Sequence, residues 1–202
     1  LQQEAARKLG YSVSQTMMIA QRLYESGFIT YMRTDSFNLS DLALGTAKEA
    51  ILESYGEKYY KFRQYHTKSK GAQEAHEAIR PTYIAKAEID GTAQERKLYD
   101  LIRKRTIACQ MADAELERTT ISVDISGVKE KFVATGEVVV FDGFLQVYHE
   151  STDDDQEKEQ GNTLLPIVHL QDALQLKEAT ATERFTQRPA RYTAVSYTHL
   201  RA

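Results

Sequence analysis

The sequence predicts an α+β protein in two parts: a helical, winged-helix-like module over about residues 1–115 and a β-rich segment over about 116–185. Three observations carry this. Apolar residues recur at helical spacing through the first half, and several of those runs stop at a glycine or a proline. Near Glu117 the pattern changes to alternation at period two. Two short helical patterns joined by a Gly-containing turn precede a run of β-branched and aromatic residues, which is the helix, helix, strand order of a winged-helix module.

The elements follow in order. Leu1, Ala5, Ala6 and Leu9 form an apolar stripe that Gly10 stops. Ser12 or Ser14 caps a second helix with Met17, Ala20, Leu23 and Tyr24 on its inner face and Gly27 as its stop. Phe28 to Met32 reads as a short strand. Ser40 caps a third helix reaching about Tyr55, with Leu42, Ala47, Ile51 and Leu52 inward and Gly56 as its stop. The basic stretch Lys58 to Lys70 reads as a loop, and a short helix is expected over Gln73 to Ile79, ended by Pro81. Thr92 caps a helix with Leu98, Leu101, Ile102 and Ile107 inward. Strands are expected over Thr119–Ile125, Lys131–Ala134, Glu137–Phe141, Leu164–Leu170 and Ala173–Ala179, with a turn at Asp142-Gly143. The acidic run Ser151 to Asn162 reads as a solvated loop.

Composition narrows the class. Of 202 residues, 42% are hydrophobic and 27% charged, an ordinary globular balance. No apolar run approaches the roughly 20 residues of a membrane span, and the polar opening Leu1-Gln2-Gln3-Glu4 is no secretory signal. The single cysteine, Cys109, can form neither an internal disulfide nor a zinc site and reads as a buried small hydrophobe. A net charge of −3 argues against a nucleic-acid binder that is basic all over, while leaving room for a basic cleft. The chain lacks an initiating Met and opens already helical, so it is expected to begin inside a larger protein.

Two segments could carry chemistry. In Gly27-Phe28-Ile29-Thr30-Tyr31-Met32-Arg33-Thr34-Asp35-Ser36, residues two apart on a strand share a face, so Tyr31 and Arg33 project together. A phenol can attack phosphorus as its oxyanion. With a solution pKa of about 10, roughly one phenol in a thousand is ionised at pH 7, a deficit of about 4 kcal/mol. A guanidinium nearby favours the ionised form and matches the oxygens of a phosphate. In Gln73-Glu74-Ala75-His76-Glu77-Ala78-Ile79-Arg80-Pro81-Thr82, a helix would set His76 and Arg80 on one face, able to hold one phosphate together. The residues alone also fit blander roles: one packed tyrosine among 12, and a surface histidine beside an ion pair. There is no glycine-rich phosphate loop and no His-Glu-x-x-His.

The first segment resembles the active-site signature of bacterial type IA DNA topoisomerases, the topoisomerase I or omega-protein family. Ala75 to Thr82 resembles that family's second catalytic segment, and Thr16 to Glu25 and Phe185 to Thr193 fit as well, collinear over about residues 1–193. The resemblance implies Tyr31 as nucleophile, forming a 5′-phosphotyrosyl ester without ATP, with Arg33 and His76 on the scissile phosphate. It implies Thr34, Asp35, Ser36 and Arg80 as supports of the site or of DNA-backbone binding. The helical module would carry the tyrosine, and the β-rich segment would be part of the arch on which it swings. The DNA would be single-stranded or underwound and the enzyme a cytoplasmic, nucleoid-associated monomer away from membranes.

In that family Mg²⁺ is bound by an acidic Toprim domain expected N-terminal to this segment, so no metal ligand is expected here. Residues 186–193 would begin the next domain, whereas 194–202 depart from the pattern and are expected to be foreign to the gene or a disordered tail. Gln171-Asp172 stands where a Gly-Asp turn is usual. The readings from other classes are a non-catalytic winged-helix DNA-binding domain and a purely structural interaction domain.

Overall fold

The structure, a computed structural model, describes residues 1–65, 77–149, 165, 168–178, 180–181, 183 and 185–186. Among those residues there are four α-helices, one antiparallel pair of strands and two short 3-10 turns, Glu57–Tyr59 and Gly143–Gln146: α1 Gln2–Leu9, α2 Val13–Glu25, α3 Asp41–Ser54, α4 Ala93–Ala108, β1 Glu115–Asp124 and β2 Lys131–Phe141. The chain is α+β, as expected.

Local capping sets the helix boundaries. Gly10 ends α1 at φ 69°, a left-handed conformation that glycine adopts without a Cβ penalty. Ser12, rather than Ser14, caps α2 by accepting from the Gln15 N–H at 3.2 Å. Ser40 caps α3. Thr92 and Glu95 form a reciprocal capping box at the start of α4.

The inner faces are partly rotated from expectation. In α2 the buried residues are Thr16, Ile19, Ala20 and Leu23, whereas Tyr24 is exposed. Thr16 can be buried because its hydroxyl returns a hydrogen bond to the Ser12 carbonyl at 2.8 Å. In α3 the buried stripe is Ala43, Leu44, Ala47, Ala50 and Ile51. The small alanines allow close approach, and Leu42 falls outside the stripe, 75% exposed, with Leu52 also outside it. In α4, Leu98, Leu101, Ile102 and Ile107 are inward as read from the sequence. Cys109, expected to be buried, caps the end of α4 half-buried.

One core joins α1, α2 and α4 around Ile19, Leu23, Leu98, Tyr99 and Ile102, and a second lies between α3 and α4 around Ile51, Ile107 and Met111. Tyr148, which follows the hairpin, is buried in the first core, and Phe144 packs against both. Thus the chain leaves the helical body at β1 and returns to it after β2.

The hairpin runs from Glu115 opposite Phe141 to Asp124 opposite Lys131, with an irregularity between Glu115 and Leu116. The two expected runs Lys131–Ala134 and Glu137–Phe141 are one continuous strand. The residues described within 164–179 are in no strand. His169 to Asp172 instead forms a turn in which the Asp172 carboxylate accepts from the His169 N–H at 2.7 Å. Leu170 is 98% exposed there, so the apolar positions that suggested strands have no buried face to occupy. The acidic run Ser151 to Asn162 and the tail 194–202 lie outside the described residues. No helix among the described residues is long and apolar enough to cross a membrane.

Candidate active site

The Tyr31 segment begins at the end of α2. Gly27 takes φ 74°, its N–H donates to the Tyr24 carbonyl, and the Phe28 N–H reaches back to the Leu23 carbonyl, each at 2.9 Å. This paired closure reverses the chain and lays Phe28 to Thr30 beside the helix it has just left. Ile29 is buried in the core. Tyr31 then comes back against Tyr24 of α2, ring centroids 5.3 Å apart and inclined by 67°.

The expected strand over Phe28 to Met32 is reduced to a single antiparallel bridge between Ile29 and Pro81. The Thr30 N–H donates to the Arg80 carbonyl and the Thr82 N–H to the Phe28 carbonyl, both at 2.9 Å. Pro81 sits at the position between these bonds where no N–H is required. The ladder stops there because Met32 turns into the core, 4% exposed. Tyr31 and Arg33, on either side of it, are both exposed, but on no strand.

The second segment lies against the first. Glu77 to Arg80 is not helical, contrary to expectation. Its backbone donors have partners elsewhere: the Ala78 N–H goes to the Asn38 carbonyl at 2.8 Å and the Arg80 N–H to the Thr30 hydroxyl at 2.9 Å. The Arg80 guanidinium is turned inward, 9% exposed. It donates to the Pro81 carbonyl at 2.9 Å and to the Glu77 carboxylate at 2.6 Å. The other Glu77 oxygen accepts from the Ser40 N–H at 2.8 Å, which ties the segment to the start of α3. Burial pushes the Glu77 carboxyl up, but the hydrogen bonds from Ser40 and Arg80 and the Arg80 charge outweigh it and hold the group below its ordinary value.

Between these anchors, the Thr34 hydroxyl accepts from the Ser36 N–H at 3.0 Å and the buried Ser36 hydroxyl from the Asn38 N–H at 3.2 Å. Asp35 is exposed. Tyr31, Arg33 and Asp35 are thus exposed, Thr34 half-buried, and Ser36 and Arg80 buried. His76 lies outside the described residues. Thr30 and Glu77 were missed from sequence. Each stands inside a quoted motif, next to Tyr31 and His76, and that adjacency was the available signal.

A sequence profile of the DNA topoisomerase family matches residues 1–197. The chain belongs to the DNA topoisomerase family. This topoisomerase segment is 46% identical over 201 residues to DNA topoisomerase 1 of Zymomonas mobilis, covering 97% of this chain and 16% of that protein. It is 46% identical to DNA topoisomerase 1 of Synechocystis, at 97% and 22% coverage. Full-length topoisomerase I from Thermotoga maritima superposes with a TM-score of 0.63 at 40% identity, over 75% of this chain and 26% of that one. The segment thus spans about a quarter or less of the length of these topoisomerases. Nothing in these similarities supports a non-catalytic winged-helix regulator.

Proposed function

We propose that this chain is the tyrosine-bearing part of a type IA topoisomerase and that Tyr31 cuts one DNA strand by transesterification. The Tyr31 oxygen attacks a backbone phosphorus as its proton leaves. The bond from phosphorus to the 3′-oxygen breaks, and that oxygen takes up a proton. A 5′-phosphotyrosyl ester remains. The other strand passes, and the 3′-hydroxyl attacks the ester to restore the phosphodiester and the tyrosine. One ester replaces another at each step, so no ATP is required, and negative supercoils relax. Arg33 would neutralise charge developing on the phosphate. His76 would assist the same phosphate, with Thr34, Asp35, Ser36 and Arg80 supporting the site and the DNA backbone.

The observation that supports this reading most is the pairing of Phe28–Thr30 with Arg80–Thr82, which sets the two motifs side by side with Tyr31 and Arg33 exposed at their edge. The partner would be single-stranded or underwound DNA, and the parent enzyme would act as a cytoplasmic monomer at the nucleoid. Mg²⁺ would be bound by another part of the parent protein. Among the described residues no group of three His, Cys, Asp or Glu is placed to hold a metal ion, and both Glu77 oxygens are engaged by Ser40 and Arg80.

The test is covalent capture by the full-length parent on a single-stranded oligonucleotide labelled at its 3′ end. Wild type should retain label on the protein, and Tyr31→Phe should retain none while still binding DNA. An adduct at wild-type level with Tyr31→Phe would assign the nucleophile elsewhere.

A further inference from the structure

Thr30 is the residue immediately before Tyr31, and its side chain does not face outward. The hydroxyl donates to the Ala78 carbonyl at 2.7 Å and accepts from the Arg80 N–H at 2.9 Å. A hydroxyl has one proton to give, and the short bond to Ala78 takes it; the longer approach to the Arg80 carbonyl, 3.4 Å, is secondary. The Thr30 N–H donates to the Arg80 carbonyl at 2.9 Å. One residue thus grips the second segment through both its backbone and its side chain, at Ala78 and at Arg80. On the far side, the second segment is fixed to α3 by Glu77 and to Asn38 by Ala78. Among these bonds, the ones made by Thr30, through its N–H and its hydroxyl, lie next to Tyr31 in the chain.

We infer that Thr30 is a positioning residue for the transesterification, its hydroxyl fixing the height and direction of the Tyr31 backbone against the second segment. The inference rests on Tyr31 being the nucleophile. Beyond Thr30 the chain has no ladder; Tyr31 packs against Tyr24, and Met32 is buried in the core. Loss of the hydroxyl removes the side-chain half of this grip and leaves only the backbone bonds of Thr30 to Arg80 and of Thr82 to Phe28 between the two segments. Displacing a reacting atom by about 1 Å can cost on the order of 100-fold in rate.

The experiment measures single-turnover cleavage, DNA affinity and melting temperature in the full-length parent, with Tyr31→Phe alongside. Thr30→Val keeps volume and β-branching but removes both hydroxyl bonds. It should slow cleavage by about 10- to 100-fold while leaving DNA affinity and the shape of the pH profile unchanged. Thr30→Ser keeps the hydroxyl and should restore most of the lost rate. Thr30→Cys, with a weak donor in place of a strong one, should fall between them, and it carries the comparison if the valine variant does not fold. Cleavage by folded Thr30→Val or Thr30→Cys at the wild-type rate would overturn the inference, as would Thr30→Ser losing as much as Thr30→Val. Failure of Thr30 alone, with Tyr31→Phe inert, leaves the nucleophile standing; an active Tyr31→Phe overturns both.

Discussion

The helical body and the β1–β2 hairpin are stabilised in opposite ways. The body buries its own apolar residues: Ile19, Leu23, Ile51, Leu98, Tyr99 and Ile107 are each no more than 2% exposed. The hairpin leaves Phe132, Val133, Val138 and Val140 exposed, and only Gly136 along its two strands is buried. A lone two-stranded hairpin is at best marginally stable in water. Its regularity here rests on the backbone ladder and on cross-strand pairs such as Lys131 with Asp124 at 2.8 Å. The lesson is that a strand pattern in sequence reports a capacity to be buried, whereas only packing shows whether this chain buries it.

Substitutions in the two regions can break or sharpen that contrast. The largest effect is expected for Leu98→Ala, which opens a cavity in a side chain that is 0% exposed. It should destabilise the body by about 2–5 kcal/mol in chemical denaturation; a change under about 1 kcal/mol would mean the core is not close-packed.

An intermediate effect is expected from acid. The Glu77 carboxyl is held below its ordinary value of 4.5, so its contribution to stability is complete above that value and is lost as pH falls through the depressed one. Glu77→Gln should remove part of the loss in melting temperature seen on titrating from pH 5 downward, measured by circular dichroism. An identical acid profile in the variant would count against the Ser40 and Arg80 contacts.

The smallest effect is expected for Val133→Thr on the hairpin. Val133 is 63% exposed, so stability should change by no more than about 0.5 kcal/mol. A loss like that of Leu98→Ala would show that the hairpin face is covered in solution.

Legibility from sequence followed the range of the interactions. Caps are local, so Gly10, Ser40 and Thr92 could be read directly, as could the alternation that makes β1. The inner face of α2 was misread because Thr16 is polar, and only its bond to Ser12 makes burial tolerable. The return of Phe144 and Tyr148 to the helical cores is a long-range packing event with no periodic signature. At the site, the strand that was to set Tyr31 and Arg33 on one face is reduced to the Ile29–Pro81 bridge, because Met32 turns into the core. The nonhelical course of Glu77 to Arg80 was not legible either, because it depends on acceptors at Asn38 and Thr30, some 40 to 50 residues away. Residue chemistry alone left Tyr31 as one tyrosine of 12; its reading as the nucleophile came from the resemblance.

The base of the hairpin has a mechanical consequence. Gly143, at φ 49°, lies so close to the outgoing chain that a Cβ there would come within 2.6 Å of the Ala112 carbonyl oxygen. The Phe144 N–H donates to that same carbonyl at 2.9 Å. The two legs of the hairpin are therefore pinched together where they meet the body, and a side chain at 143 would wedge them. Strands lie about 4.8 Å apart and rise about 3.3 Å per residue, so wedging one leg by about 1 Å tilts a ten-residue hairpin by roughly 12° and carries its tip about 7 Å. The residue with no side chain is thus the fulcrum of a lever: what it lacks sets the direction in which the exposed β1–β2 hairpin points.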